Sequence, residues 1–422
     1  MSEMSYLEKL LDGVEVEWKT LEDITLRTSN IKWREAIRSY RYIDLTSVDI
    51  ATKKIIETTE ITKNNAPSRA KKLVDENDVI FATTRPTQQR FCLIDSEYAG
   101  AVASTGYCIL RAKKDQVLPK WILHWISTSD FKKHVEENQS GSAYPAISDS
   151  KVKECLIPIP CPDNPEKSLA IQSEIVRILD KFTALTAELT AELTAELNMR
   201  KKQYNYYRDQ LLSFEDGEVE WKALGTICQI GDGNHSSKYP KANEMIEQGI
   251  PFIRGTNMVN GTICNQDMKY ISKEKHNELK KGHLKAFDVL IANRGEVGKV
   301  AYVPEGYSGS NLNSQLAWLR ANPEIIINRY LFFILCSSTI QNKLSGEGGA
   351  LQQLTIKNIK NIQIPVPSIT VQSNIVSFLD KFDSLTNSIS EGLPREIELR
   401  QKQYEYYRDL LFSFPKPDTV SN

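Results

Sequence analysis

Two stretches of the chain repeat apolar residues at intervals of three or four positions. The first stripe consists of Ile175, Leu179, Phe182, Leu185, Leu189, Leu193 and Leu197, and the second consists of Ile375, Leu379, Phe382, Leu385, Ile389, Leu393 and Ile397. This period predicts two long amphipathic helices that pack on each other. Gly392 and Pro394 are expected to interrupt or kink the second helix, because neither residue suits a helix interior.

A module with shorter apolar runs lies ahead of each long helix. The predicted strands are residues 78–82, 107–110, 288–292 and 316–319, and the predicted module helices are residues 118–135 and 328–344. The segments IPIP (157–160) and IPVP (364–367) predict extended linkers, since proline disfavours helix. The order of elements is the same in both modules, so they are expected to share a fold.

The frame around the modules is written twice. RKKQYNYYRDQLLSF (200–214) returns as RQKQYEYYRDLLFSF (400–414), and EVEWK (15–19) returns at 218–222. Residues 6–11 resemble residues 207–212, so the chain begins with a fragment of the repeated helix end, which we expect to pack near residues 406–414. A constant frame around two divergent modules predicts two versions of one recognition task and an approximate twofold internal symmetry.

Residues 186–197 are the tetrapeptide TAEL written three times. Four residues add slightly more than one helical turn, so the array lengthens the helix without breaking its apolar stripe. Two interpretations stay open, which are a spacer of defined length and a plain run of good helix formers.

The net charge of −1 conceals an uneven distribution. Residues 18–156 hold 22 Lys/Arg against 18 Asp/Glu, and residues 222–350 hold 15 against 11, so each module carries +4 while the frame is acidic. Basic modules suit contact with phosphates. The seven cysteines form no CxxC pair and the five histidines no HxxxH or HExxH pattern, so we expect reduced thiols and no metal site. Without a membrane-length apolar run or a secretion signal, the expected location is the cytoplasm.

The TAEL array, the repeated LDKF (179–182 and 379–382) and the repeated YYRD (206–209 and 406–409) together resemble one family. It is the specificity subunit of type I restriction-modification enzymes, most closely the IC subclass. In the second module, GDGNHSSKY (231–239), IPFIRGTNM (250–258) and NLNSQLAWLR (311–320) look like segments of the family's target-recognition domains.

The resemblance implies an α+β fold in which two mixed α/β target-recognition domains are joined by two long antiparallel helices. The implied division is an N-terminal helical fragment at 1–17, recognition domains at 18–156 and 218–363, and linker-plus-helix segments at 157–217 and 364–422. Each domain would recognise one half of a split, asymmetric sequence in double-stranded DNA, and the helices would set the gap between the halves.

The resemblance also implies partners. Two methylation subunits that use S-adenosylmethionine would bind the repeated helices, and two motor-nuclease restriction subunits would add ATP- and Mg-dependent translocation and cleavage. The chain itself is expected to hold no cofactor and no catalytic residue, and it shows no Walker A loop and no NPPF or DPPY run. Two alternatives stay open, a stand-alone methyltransferase or nuclease and a coiled-coil scaffold that binds only protein.

Candidate DNA-contacting residues are those that can form hydrogen bonds or stack in polar loops, because Arg/Lys pair with guanine and Asn/Gln with adenine. They are Thr84, Arg85, Gln88, Gln89, Arg90 and Tyr144 in the first module, and Asn234, His235, Ser236, Lys238, Tyr239, Arg254, Thr256, Asn257, Asn293, Arg294, Gln352 and Gln353 in the second. For the Thr83–Arg90 loop and the Gly141–Pro145 turn, an ordinary solvated turn is the competing interpretation.

The tyrosines Tyr204, Tyr206, Tyr207, Tyr404, Tyr406 and Tyr407 recur identically at the two helix ends. Adjacent tyrosines cannot all face one helix stripe, so some must be exposed. Exposed aromatic residues at a repeated site predict an interface with a partner protein.

Overall fold

A computed structural model describes residues 11, 13–215, 217–235, 237–345, 353–387 and 391–416. The chain forms two compact units, of which unit 1 is Met1–Leu189 with Arg400–Asn422 and unit 2 is Thr190–Leu399. Each unit therefore contains one module, the first part of the helix that follows this module, and the end of the other repeated helix.

The described residues of unit 1 form ten strands, three short helices, and a long helix that begins there and continues into unit 2. The strands are β1 (Val16–Thr20), β2 (Thr25–Leu26), β3 (Tyr40–Ile43), β4 (Thr59–Ile61), β5 (Ala70–Leu73), β6 (Val79–Ala82), β7 (Phe91–Leu93), β8 (Val102–Ser104), β9 (Tyr107–Ala112) and β10 (Leu156–Pro160). The helices are α1 (Pro119–Trp125), α2 (Ser129–Asn138), α3 (Asp149–Lys153) and the long α4 (Pro165–Leu211).

Unit 2 repeats this order with small variations. Its strands are β11 (Glu220–Ala223), β12 (Cys228–Asp232), β13 (Ile250–Ile253), β14 (Met258–Val259), β15 (Thr262–Ile263), β16 (Lys269–Ile271), β17 (Val289–Ala292), β18 (Val300–Tyr302), β19 (Asn311–Leu312), β20 (Leu316–Ala321) and β21 (Gln363–Val366). Its helices are α5 (Leu224–Ile227), α6 (Lys273–Glu278), α7 (Asn328–Cys336), α8 (Ser338–Ser345), α9 (Ile356–Asn361), α10 (Ile369–Asn387) and α11 (Gly392–Leu411), the last of which ends in unit 1.

The two modules share one sheet topology. The central sheet has the order β2-β9-β6-β7 in unit 1 and β12-β20-β17-β18 in unit 2. A second sheet in each module contains one parallel pair, β3 with β8 and β13 with β19. β6 and β17 are buried at every position, as expected for central strands covered on both faces. The predicted α+β class and the common module fold are confirmed.

The central sheet of each module is held by the same ion pair. The buried Asp78 accepts two hydrogen bonds from Arg111, at 2.8 and 2.7 Å. Asp288 accepts the same two bonds from Arg320 at the same distances. In each pair, one planar guanidinium satisfies both oxygens of a buried carboxylate. The pair connects the start of β6 to β9 in the first module, and the start of β17 to β20 in the second.

The module helices were predicted as single helices, and each is broken in two. The hydroxyl of Thr128 accepts a hydrogen bond from the Phe131 amide and donates to the Trp125 carbonyl at 2.7 Å, so it ends α1 and caps α2. Ser337 donates in the same way to the Ile334 carbonyl at 2.7 Å. The apolar period continues through both breaks, which is why the pattern alone did not locate them.

The IPIP and IPVP segments are extended, as predicted, but they are strands and not linkers. β10 pairs with β1 and β21 pairs with β11, both antiparallel, so each EVEWK repeat forms a two-stranded ribbon with its proline-rich partner. A proline lacks the backbone N–H, and a two-stranded ribbon tolerates it because both strands are edges.

The second long helix is interrupted, as predicted from Gly392 and Pro394. α10 ends at Asn387, and α11 begins at Gly392, whose φ is +73°. A Cβ atom at Gly392 would lie 2.6 Å from the carbonyl oxygens of Ser384 and Leu385, so glycine is required there.

The repeated helices pair antiparallel inside each unit. In unit 1, the rings of Phe182 and Tyr407 stack with centroids 5.8 Å apart, and the hydroxyls of Thr183 and Tyr404 lie 2.9 Å apart. In unit 2, the ring of Tyr207 lies 5.7 Å from that of Phe382. Each helix end thus packs on the start of the other repeated helix.

The segment after α11 completes the core of the first module, which we call module 1 (residues 18–156), the second being module 2 (residues 218–363). The ring of Phe412 lies 4.7 Å from that of Trp121, and the Trp18 indole donates a hydrogen bond of 2.7 Å to the Pro415 carbonyl. Leu11 is buried in the same core as Phe412 and Phe414, as expected for the N-terminal fragment of the repeat. Residues 1–10 and 12 of that fragment lie outside the described residues.

Candidate DNA interface and partner surface

In module 1, the loop after β6 meets the loop that contains Tyr144. The amide of Thr83 donates to the Gly106 carbonyl at 2.8 Å, and the Ile147 amide donates to the Thr83 carbonyl at 2.9 Å. Arg85 donates its amide to Pro145 at 2.7 Å, and its guanidinium lies 5.1 Å from the centre of the Tyr144 ring. The two predicted segments therefore form one surface, which we call edge loop 1 (residues 83–90 and 144–147).

Module 2 builds the same loop pair on the same backbone bonds. Asn293 donates its amide to Gln315 at 2.9 Å, and Leu354 donates its amide to the Asn293 carbonyl at 2.9 Å. Arg294 and Gln353 form a bridge that matches the bridge between Thr84 and Ala146. We call this surface edge loop 2 (residues 293–299 with 353 and 354). Gln352 lies outside the described residues, as does Ser236.

Some predicted residues present their side chains to solvent, where a DNA duplex can reach them. These are Arg85, Gln88 and Tyr144 in module 1, and His235, Lys238, Thr256, Arg294 and Gln353 in module 2. His235 lies 3.2 Å from the carboxylate of Asp232, which holds the imidazole at the start of its loop. Thr84 is half-buried beneath Arg85. DNA contact by these residues stays a prediction.

Other predicted residues use their polar atoms inside the module. Arg90 donates to the carbonyls of Leu45 and Val48, the latter at 3.0 Å. Asn257 is fully buried, accepts from the Arg254 amide at 3.0 Å and donates to the Gln266 carbonyl at 3.0 Å. These bonds fix the shape of the loops that carry the exposed side chains.

Further candidates are also packed against their own module. Tyr239 lies edge-on to Phe252 with ring centroids 5.7 Å apart, and Arg254 donates to the Asp267 carbonyl at 2.5 Å. Asn234 and Asn293 are buried. The side-chain amide of Gln89 is buried without a hydrogen-bond partner among the described residues.

A half-buried lysine lies under edge loop 1. The Nζ of Lys53 donates to the Gln89 carbonyl and lies 4.5 Å from the centre of the Phe91 ring. Burial, supported by the positive charges of Arg90 and Arg408, lowers the pKa of Lys53 to about 8. Asp49 opposes this shift without cancelling it.

The repeated tyrosines divide between core and surface. Tyr204 was predicted to contact a partner, but it is 6% exposed and belongs to the core of unit 2. Tyr404 is half-buried against Thr183. Tyr206 and Tyr406 are the most exposed, at 61% and 63%, and each lies edge-on to its neighbour, Tyr207 or Tyr407. Four tyrosines therefore remain available to a partner.

An aspartate next to the tyrosines connects the end of α4 to module 2, and another connects the end of α11 to module 1. Asp209 accepts a hydrogen bond of 3.0 Å from the amide of Ser338 at the start of α8, and Asp409 accepts one of 3.3 Å from the amide of Ser129 at the start of α2. Burial alone would raise the pKa of Asp209, but hydrogen bonds from Arg208 and Ser338 outweigh it and lower the pKa. A carboxylate at a helix start is favourable because the amides there carry partial positive charge.

One basic segment lies outside the predicted DNA-contacting residues. Residues 27–41 contain five Lys/Arg and one Asp/Glu, so the net charge of this segment, +4, equals the net charge of the whole of module 1. Counting charge in short windows, not by module, would have located it.

Two features are not found in the described part of the chain. No three His, Cys, Asp or Glu side chains come together as a metal site requires. None of the helices there is long and apolar enough to cross a membrane.

Comparison with known proteins gives one consistent result. The family model for the type I restriction modification DNA specificity domain matches residues 14–199 and again residues 217–399. The type I restriction enzyme EcoR124I/EcoR124II specificity subunit of Escherichia coli is 44% identical over 430 residues, which is 100% of both chains. The EcoprrI specificity subunit of the same species is 36% identical and covers 93% of each chain.

A solved structure from work on complex assembly and conformational transition of the type I R-M system has a similar fold. It aligns with a TM-score of 0.66 at 23% identity, over 94% of this chain and 97% of that chain. At this identity the likeness concerns the fold alone.

Proposed function

Because this chain belongs to the family of type I restriction-modification DNA specificity subunits, we propose that its two modules recognise the two halves of a split, asymmetric DNA target. The chain is the subunit that carries DNA specificity in such a system. The observation that supports one half-site per module is the shared backbone of edge loops 1 and 2. The same hydrogen bonds hold different exposed side chains in each module, such as Arg85 with Tyr144 in one and Arg294 with Gln353 in the other.

Catalysis belongs to partner subunits in this proposal. The edge loops offer hydrogen-bond donors and acceptors for bases, but no nucleophile paired with a base and no phosphate-binding glycine loop. Methylation subunits would supply S-adenosylmethionine chemistry, and motor-nuclease subunits would supply the chemistry of ATP and Mg²⁺. This chain would position the DNA for them.

Two methylation subunits would dock at the two helix ends. The exposed pairs Tyr206–Tyr207 and Tyr406–Tyr407 have the same ring geometry, with centroids 5.4 Å apart in both. An aromatic surface repeated in both units fits two copies of one partner. Replacing Tyr206 and Tyr207 by Ala should leave complexes with one methylation subunit in native mass spectrometry. The matched variant at Tyr406 and Tyr407 should give the same loss, and two subunits in both variants would reject this interface.

The proposal is tested by methylation in cells that carry this chain together with its methylation subunit. Sequencing of methylated adenines should give one bipartite, asymmetric target with a fixed gap. The purified chain alone should transfer no methyl group to DNA. A continuous target, or methyl transfer by the chain alone, would contradict the proposal.

A further inference from the structure

Module 1 carries an isoleucine that projects almost completely into solvent. Ile37 is 98% exposed, and among the described residues no other large apolar side chain reaches this value, the next being Tyr144 at 71%. A single exposed apolar residue is common on protein surfaces and needs no function. The position of Ile37 is unusual because of the charges around it.

Residues 27–41, which we call the basic loop, carry the whole net positive charge of module 1. Its cations are Arg27, Lys32, Arg34, Arg38 and Arg41, and Glu35 is its one acid. The remaining residues of module 1 contain 17 Lys/Arg and 17 Asp/Glu, so outside this loop the module is neutral. A local excess of this kind attracts a polyanion and not an apolar protein surface.

Arg38 follows Ile37 directly, Arg34 lies three residues before it, and both remain available. Among the described residues, Arg34 has no hydrogen bond, ion pair or ring contact. The guanidinium of Arg38 lies over the Tyr40 ring, 4.7 Å from its centre, and forms no ion pair among the described residues. Lys32 lies 3.5 Å from Glu35 and Arg41 is paired with Glu97 at 2.6 Å, so Arg27, Arg34 and Arg38 are left for phosphate. Of these three, Arg34 and Arg38 are nearer to Ile37 in the chain.

The loop is fixed at its base by hydrogen bonds. The Trp33 indole donates a hydrogen bond of 2.8 Å to the Ala70 carbonyl, and the Ala36 amide closes a turn onto Trp33 at 3.3 Å. Ala70 pairs with Ser104, two residues before Gly106, which accepts the hydrogen bond from Thr83. A fixed loop on the module that carries edge loop 1 can present Ile37 to the DNA that this module binds.

We propose that Ile37 contacts the 5-methyl group of a thymine in the first half-site, while Arg34 and Arg38 bind the flanking phosphates. An isoleucine side chain has no hydrogen-bonding group, and the apolar group on the base edges of the major groove is the thymine methyl. The contact would be a determinant of specificity for one A·T pair. This inference rests on the proposed function, in which module 1 recognises one half-site.

The test uses the assembled complex of this chain with its methylation subunits. The DNA is a duplex with the target sequence that was identified by methylation in cells. Each thymine of the first half-site is replaced in turn by deoxyuridine, which removes the methyl group and leaves base pairing intact. At one position this should weaken binding about fourfold, the effect expected for one buried methyl-sized contact. Ile37→Ala should weaken binding to the unmodified duplex by the same factor, and should add no further loss on the deoxyuridine duplex.

Matched variants separate this contact from a general surface effect. Ile56→Ala removes another exposed isoleucine of module 1, 65% exposed and outside the basic loop, and should bind normally. Arg34→Ala should reduce the slope of the logarithm of the binding constant against the logarithm of salt concentration by about one, and it should leave the base preference unchanged. Deoxyuridine in the second half-site should have the same effect on the wild-type and Ile37→Ala complexes.

Three results would overturn the inference. The first is that Ile37→Ala binds the unmodified duplex as tightly as the wild type does. The second is that no deoxyuridine in the first half-site weakens binding by the wild-type complex. The third is that the affinity losses caused by Ile37→Ala and by deoxyuridine multiply when the two changes are combined. If the wild-type complex still methylates a bipartite target, any of these results would reject the Ile37 contact and leave the proposed function intact. A wild-type complex without a bipartite target would reject the proposed function itself.

Discussion

Arg294 and Thr84 occupy the same backbone position in the two modules and differ in chemistry. Each residue follows a central strand and forms a bridge with the second loop of its edge, to Gln353 and Ala146 respectively. The next residue is left-handed in both modules, Arg85 at φ +49° and Gly295 at φ +73°. The backbone is thus fixed while the side chain varies, which is the arrangement that lets one fold serve different sequences.

We predict that Arg294→Ala weakens specific binding more than non-specific binding. Arg294 is exposed at the edge of module 2, and an arginine that pairs with a guanine contributes ~1–3 kcal/mol of discrimination. Affinities of the assembled complex for target and random duplexes, measured at several salt concentrations, test this. Arg395→Ala on α11 serves as the control for loss of one positive charge. Equal losses on both duplexes with a smaller salt slope would assign Arg294 to a phosphate.

A second residue-scale prediction concerns Lys53 beneath edge loop 1. Its pKa is about 8 in the folded chain, against an ordinary value of 10.5, because of burial. Between these two pH values the unfolded chain holds the proton and the folded chain does not, so raising the pH favours folding. Wild-type module 1 should therefore gain stability relative to Lys53→Met from pH 8 to pH 10.5. Urea unfolding curves at several pH values check this, and a constant difference between the two proteins would contradict it.

Sequence reasoning found the edge loops but did not separate their exposed side chains from their internal ones. Arg85 and Arg90 belong to the same polar run, yet Arg85 is exposed and Arg90 binds the carbonyls of Leu45 and Val48. The difference depends on a segment about 40 residues away in the chain, which no local pattern reveals. The burial of Tyr204 on α4 likewise depends on its pairing with α10.

At the scale of elements, the long helices and the module strands were predictable because their periods are strong. The breaks between α1 and α2 and between α7 and α8 were not, because one hydroxyl decides each break while the apolar period runs on. Pairing of EVEWK with the proline-rich segments was missed for another reason. These segments lie about 140 residues apart in the sequence, and short strands carry little information about their partners.

We predict that removing residues 411–422 unfolds module 1 and spares module 2. The deletion takes Phe412 and Phe414 out of the module 1 core, and losing one buried phenylalanine costs about 3–5 kcal/mol. Two such losses are comparable with the whole stability of a domain, about 5–15 kcal/mol. Hydrogen exchange followed by mass spectrometry should show lost protection in β6 and β9 and normal protection in β17 and β20. Removing residues 417–422 is the control, and full protection of β6 in the longer deletion would contradict this role.

The TAEL array gives the second prediction at this scale. It lies within α4, which is continuous from Pro165 to Leu211, so deletion of one repeat shortens the helix by ~6 Å and turns its end by ~40°. B-DNA turns by ~35° per base pair, so the rotation matches one base pair. The methylated target should lose one base pair from its gap and keep both half-sites. An unchanged gap would show that the array does not set the spacing.

At the scale of the whole molecule, each unit is completed by the other half of the sequence. Module 1 is closed by the end of α11, and module 2 by the end of α4, through aspartates that cap α2 and α8. The repeat in the sequence predicted that the halves are equivalent. It also predicted that the N-terminal fragment packs near residues 406–414. It did not predict that Asp209 and Asp409 bind the helix starts of the modules, because these contacts join residues 129 and 280 positions apart in the chain.

The central claim is that the two modules recognise DNA independently on a common frame. The most direct measurement is the methylated target of a chain in which residues 222–362 are replaced by the corresponding module of a relative with a different target. We expect a new second half-site, an unchanged first half-site and an unchanged gap, because edge loop 1 and α4 are retained. A target altered in both halves would contradict it.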